Sequence, residues 1–162
     1  MTGSCNGRNG MLVLCLLGAA YLFSGAPAYA QTKSGEPHTT KVVLRILNGK
    51  TGWPIWAELP NVWIGGATSP IDPPPRTNWR GEINLEVSAT GPREVRFLPN
   101  WYVDCRPSSD QMAGRKVKYS VDQILELGIV AENVCGKTRA KPVPGVLTLY
   151  VRPRTWKEIM EL

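Results

Sequence analysis

Histidine is nearly absent from this chain: His38 is the only one among 162 residues, and it stands in a polar stretch that reads as a solvated lead-in. General acid–base and nucleophilic catalysis draw on histidine, an activated cysteine, or two carboxylates in unlike surroundings. The sequence is poor in all three, so no catalytic residue is expected and a non-enzymatic protein is the first reading. Asp72, Asp104, Asp110 and Asp122 are too dispersed for a calcium loop, and there is no His-Glu-x-x-His or Cys-x-x-Cys pattern. Neither a metal nor a cofactor is expected. Basic runs are missing too. The net charge of +6 is spread among acids, without the concentrated footprint of a nucleic-acid binder.

No apolar run reaches the ~20 residues that a membrane-spanning helix needs. The longest, Met11–Phe23, has thirteen, and a Gly/Pro break followed by Ala28-Tyr29-Ala30 comes behind it. Small residues at −3 and −1 before Gln31 make residues 1–30 a signal peptide with Arg8 as its positive flank. A signal anchor is the weaker reading. Lipid attachment at Cys15 is disfavoured because Leu14 stands where a small residue is wanted. Export to a periplasm or to the medium follows, with no membrane span in the mature form. The mature chain of 132 residues carries net charge +5 and is the size of one domain.

Cys5 and Cys15 leave with the leader, and Cys105 and Cys135 remain as an even pair in an oxidising compartment. A disulfide between them would contribute on the order of 3–4 kcal/mol in the chain-entropy description. The alternative is two buried free thiols.

Residues 31–40 are polar, contain Gly35 and Pro37, and read as a flexible lead-in, with order from Lys41 in a single domain over 41–162. Val42–Leu47 is a strand ending in the Asn48-Gly49 turn. Residues 55–65 read as one bent edge strand interrupted by Pro60, and 65–81, with Pro70, Pro73, Pro74 and Pro75, as a loop. Glu82–Val87 alternates cleanly, placing Ile83, Leu85 and Val87 on one face. Glu94–Cys105 is extended around a Pro99-Asn100 kink. Ser120-x-x-Gln123 is a capping box opening a two-turn helix that ends at Gly128. Val146–Arg152 is the last strand, and Thr155-x-x-Glu158 opens a C-terminal helix over 155–162. Trp156, Ile159 and Met160 give that helix an apolar side expected to dock on the body. The predicted class is mainly all-β, an antiparallel sandwich with two short helices in the C-terminal half.

The succession Val42–Ile55, Asn61-Val-Trp-Ile-Gly65 and Thr77-Asn-Trp-Arg-Gly-Glu-Ile-Asn-Leu85 resembles the carboxypeptidase regulatory-like domains of the transthyretin-like (prealbumin-like) sandwich. Gly52, Pro54, Gly81 and Ile83 match that family's turn positions, with Asn78 where Asp is usual. The resemblance covers about residues 42–88. It implies an Ig-like sandwich of the accessory or interaction kind, mostly non-catalytic. The hydrolase branch of the fold, which relies on histidines and a C-terminal Tyr-Arg-Gly-Ser signature, has no counterpart here. The proline-rich loop at 65–76 and the whole C-terminal half depart from the pattern.

All six tryptophans belong to the mature chain. Trp63 and Trp101 lie in strand-like runs and read as core, and Trp156 reads as the anchor of the last helix. Trp53, Trp56 and Trp79 lie in or beside turns. Either the proline loop folds over them, or they are exposed and able to stack on sugars or grip a peptide. Arg76, Arg80 and Arg93 stand near enough in sequence to add hydrogen bonds. The leading expectation is an exported module that binds an envelope protein or a surface glycan. The alternative is a dedicated carbohydrate-binding module using Trp53, Trp56 and Trp79. An unrecognised hydrolase is a third reading and requires Asp104 to converge with Glu86 or Asp110.

Overall fold

The computed structural model describes residues 38–107 and 117–160. The expected leader, the expected cleavage residues Ala28, Ala30 and Gln31, nearly all of the expected lead-in, and Asp110 lie outside the described residues. The described chain falls within one compact unit, Ser34–Leu162.

Strand β1, Thr39–Asn48, buries Val42, Leu44 and Ile46 through its period of two. It starts two residues ahead of Lys41, because Thr39 pairs with Ser88 and the His38 carbonyl accepts from Ala89 at 2.8 Å. Strand β2 is Asn61–Ile64, and β3, Glu82–Ser88, buries Ile83, Leu85 and Val87 as its alternation predicts. Strands β4 (Glu94–Leu98) and β5 (Val103–Asp104) are separated by the Pro99-Asn100 kink. Strand β6 is Tyr119–Ser120, followed by helix α1 over Val121–Leu127. Ser120 caps α1 by accepting from the Gln123 N–H, and Gly128 ends it. Strands β7 (Ile129–Val130) and β8 (Val146–Arg152) precede helix α2, Trp156–Met160.

Two sheets result. One runs β3-β1-β8-β5 with β7 also on β8, and the other runs β2-β4-β6. Their facing side chains make one core: Leu44, Ile46, Leu85 and Leu149 from the first sheet meet Val62, Val95 and Phe97 from the second, with Val121 and Ile124 of α1. The chain is therefore mainly β and sandwich-like. The expectation of purely antiparallel pairing is corrected at β8, which runs parallel to β1 (Leu44↔Leu147) and to β7 (Ile129↔Leu147). The first and last long strands are central neighbours, and the long 131–145 connection lets β8 enter in the same sense as β1. Strand β7 escaped the sequence reading because two residues show no period.

Three tryptophan expectations divide. Trp63 is buried. Trp101 is not core but 65 % exposed, because the Pro99-Asn100 break ends β4 before it and releases it from the strand alternation. Trp156 is 80 % exposed and α2 buries no residue, so the helix does not dock by its apolar side. It is held instead by its capping box and an ion pair. The Thr155 N–H donates to Glu158 Oε2 at 2.7 Å, and Arg152 grips both Glu158 oxygens at 2.8 and 2.6 Å. These bonds, Arg152 first and the Thr155 backbone second, hold the Glu158 carboxyl far below the ordinary carboxylate range.

The disulfide is present: Cys105 at the end of β5 bonds Cys135, with Cα atoms 5.3 Å apart, inside the range a bridge requires.

Candidate functional site

Three loop segments meet at one end of the first sheet. In the turn after β1, the Asn48 side chain accepts from the N–H groups of Lys50 and Thr51, and Trp53 donates to Thr51 Oγ1. The chain then returns along β1, with Ile55 N–H bonded to the Ile46 carbonyl at 3.0 Å. Ile55 is buried, which leaves its near neighbours Trp53 and Trp56 outside.

The second segment, 76–82, lies against the first. Ala57 N–H reaches the Thr77 carbonyl at 3.1 Å, Thr77 N–H reaches the Glu58 carbonyl at 2.9 Å, and Thr77 Oγ1 accepts from Glu58 N–H at 2.9 Å. Asn78 then folds the Trp79-Arg80 tip, its Oδ1 accepting from Arg80 N–H at 2.8 Å and Glu82 N–H at 3.0 Å. Gly81 closes this tip at φ 72°, and a Cβ there would lie 2.5 Å from the Ile46 carbonyl oxygen. Only glycine lets the Trp79 turn sit directly on β1.

Trp53, Trp56 and Trp79 are 74 %, 66 % and 71 % exposed. The proline loop does not cover them. It pairs instead with the free edge of β2, where Ile71 N–H bonds the Val62 carbonyl at 2.8 Å. Arg76 crosses from the second segment to stand 5.9 Å over the Trp56 ring, and Arg80 stands 4.5 Å over Trp79. Such stacking orients a guanidinium without consuming its charge. The structure thus brings Trp56 together with Arg76, and Trp79 with Arg80, on neighbouring segments. It does not bring in Arg93, which pairs with Asp122 at 2.9 Å.

The third segment, 136–141, was missed from the sequence. Thr138 Oγ1 donates to the Lys50 carbonyl at 3.1 Å, and Asn133 Nδ2 donates to both the Gly49 and Thr138 carbonyls, at 2.8 and 3.0 Å. The Tyr150 hydroxyl on β8 accepts from Ala140 N–H. Lys137, Arg139 and Lys141 are all exposed on this loop. Their spacing at every second residue was the available signal.

No family model, curated protein or solved structure matches this chain. What the site can do therefore rests on its own chemistry.

Of the two carboxylate pairings expected for a hydrolase, Asp104 with Glu86 does not form, and Asp104 with Asp110 lies outside the described residues. Asp104 on β5 and Glu86 on β3 lie on opposite edges of the first sheet, with β1 and β8 between them. Asp104 is buried against Arg106, and Glu86 pairs with Lys41 at 3.8 Å. Arg106 also donates to the Phe97 carbonyl at 3.1 Å. Burial works against its charge, but the hydrogen bond and the charge of Asp104, with Tyr119, outweigh it and leave its pKa raised. This pair is a cross-link between the sheets, since Phe97 belongs to β4 and Asp104 to β5.

A second surface feature lies near α2. Asn100, Trp101, Tyr102, Pro153, Arg154 and Ile159 line an open cleft of about 660 Å³. Among the described residues no three His, Cys, Asp or Glu side chains gather as a metal site, and no helix is long and apolar enough to cross a membrane. The disulfide fits an oxidising compartment.

Proposed function

We propose that this chain is an exported, non-enzymatic binding module of the transthyretin-like kind, released by a signal peptide ending at Ala30, and that its ligand is a surface glycan. One observation carries the reading: three tryptophans, Trp53, Trp56 and Trp79, stand exposed on two segments that are hydrogen-bonded to each other through Ala57, Glu58 and Thr77. A solvent-facing indole gains by covering the apolar face of a pyranose, and the stacked arginines supply donors for hydroxyl or carboxylate oxygens. Backbone hydrogen bonds from Ile46 to Ile55 and Gly81 tie those segments to the sheet, and such pre-ordering lowers the cost of binding.

Titration of the mature protein with a panel of polysaccharides, followed by tryptophan fluorescence and calorimetry, tests this. Saturable binding that is lost in W53A/W56A/W79A is the expected result. Binding unchanged in that variant, or no binding to any polysaccharide, rules the reading out.

An envelope protein is the second reading, favoured by the apolar cleft and by the exposed Trp101, Trp156, Ile159 and Met160 beside it. A pull-down from the native envelope that yields a partner with the wild type, and loses it with W101A/W156A, would put that reading first.

A further inference from the structure

Charge along the sequence looks evenly mixed, yet the fold sorts it. Among the described residues, six ion pairs neutralise Lys41, Arg45, Arg93, Arg106, Lys118 and Arg152. None of those cations lies on the three loop segments themselves, although Arg45 reaches Glu82 at the end of the second and Arg152 lines a pocket with Lys50. Lys50, Arg76, Arg80, Lys137, Arg139 and Lys141 do lie on them, and among the described residues not one of these six has a carboxylate within ion-pair distance. Arg139 spends its hydrogen bonds on the carbonyls of Gly136 and Thr138, which shapes the loop and leaves its charge in place.

The neighbouring acids do little to offset this. Glu58 is 1 % exposed and turned to the backbone N–H groups of Asn100 and Trp101. Only Asp72 and Glu132 are exposed in the flanking chain. Three hydrogen-bonded segments therefore carry six cations without ion-pair partners and three exposed indoles, two of them each with an arginine over the ring. Unpaired like charges held close together repel, and an anionic ligand relieves that repulsion.

We infer that the glycan bound here is acidic, a polysaccharide carrying uronate carboxylates along its chain. This inference rests on the glycan reading above. The tryptophans supply the stacking platforms and the loop cations pair with the carboxylates, Arg76 and Arg80 being already fixed over their rings. The same chemistry would attract a single-stranded nucleic acid, but the disulfide places the protein where free polynucleotide is not a usual partner.

The test uses three probes on the mature protein: polygalacturonate, its fully methyl-esterified neutral form, and an oligodeoxythymidylate of matched charge. Polygalacturonate is expected to bind about tenfold or more tightly than the ester at low salt. The gap should close as the Debye length falls below ~10 Å. K137Q/K141Q, which alters two exposed side chains that make no internal bond, should lower polygalacturonate affinity several-fold and leave ester binding and thermal stability unchanged. Equal binding of free acid and ester overturns the inference while the glycan reading stands. Failure of both polysaccharides to bind overturns the glycan reading itself. Tighter binding of the oligonucleotide than of polygalacturonate assigns the surface to nucleic acid and overturns the inference.

Discussion

The buried carboxylate of Glu58 holds the Trp101 turn: its Oε1 accepts from the backbone N–H of Asn100 at 2.7 Å and of Trp101 at 3.1 Å. The same residue's backbone lies against Thr77, beside the exposed tryptophans. One side chain thus ties the bend between β4 and β5 to the loop end of the molecule.

Glu58→Ala removes the acceptor of two part-buried N–H groups, and a loss of about 1–3 kcal/mol is expected. Glu58→Gln keeps a carbonyl oxygen there and should lose less than half as much. Urea unfolding of both variants measures it. Equal losses would mean that packing, not hydrogen bonding, is what Glu58 contributes.

Reduction of Cys105–Cys135, or the C105A/C135A variant, releases a loop closed over 30 residues. The expected destabilisation is about 3–4 kcal/mol. Because Cys135 flanks the 136–141 loop, polygalacturonate affinity should fall in the variant even under conditions where it stays folded. Unfolding midpoints with and without reductant, alongside titrations, check both parts.

Gly136 lies where two backbones touch. A Cβ there would stand 2.3 Å from the Gly49 carbonyl oxygen and 2.9 Å from the Lys50 Cα. Gly136→Ala must push the basic loop off the Lys50 turn, at a cost of about 1–3 kcal/mol. Thermal unfolding reports the cost, and amide shifts of Lys50 and Thr138 should report the displacement. An alanine variant as stable as the wild type would show that the loop adapts freely.

The cap of α2 sets a pH dependence. The bonds from Arg152 and the Thr155 backbone lower the folded pKa of Glu158 beneath its unfolded value. A depressed carboxyl contributes stability that is complete above the unfolded pKa and is lost as pH falls through the folded one. The Thr155 amide resonance should therefore stay unchanged through the range where a free glutamate protonates, ~4.3, and move only in strong acid. E158Q should abolish the titration. A midpoint near the ordinary value in the wild type would mean the Arg152 grip is absent in solution.

Much of the β architecture was readable because each signal is local. Glu82–Val87 alternates with a period of two, Asn48-Gly49 and Gly81 mark turns by their backbone freedom, and Ser120-x-x-Gln123 and Thr155-x-x-Glu158 mark helix starts by short-range bonding. These residues predicted strand and helix bounds to within one or two positions. The cysteine pair was legible for another reason: reading residues 1–30 as a leader sets Cys5 and Cys15 aside and leaves an even pair.

Burial of a side chain and the company it keeps are long-range properties, and there the sequence was silent. Nothing local distinguishes Trp63, which is buried on the face of the second sheet away from the shared core with Arg96 over its ring, from Trp101, which the same kind of extended run turns to solvent past a proline. The parallel run of β8 beside β1 joins residues about a hundred positions apart. Lys50, Arg76 and Lys141 look like scattered surface charges until the sheet edge, Asn133 and Tyr150 draw their loops together. Composition and spacing determined what elements this chain makes. Only the closing of the two sheets decided which charges stay unpaired and which indoles stay bare, because ion pairing and burial depend on what the fold places opposite each residue.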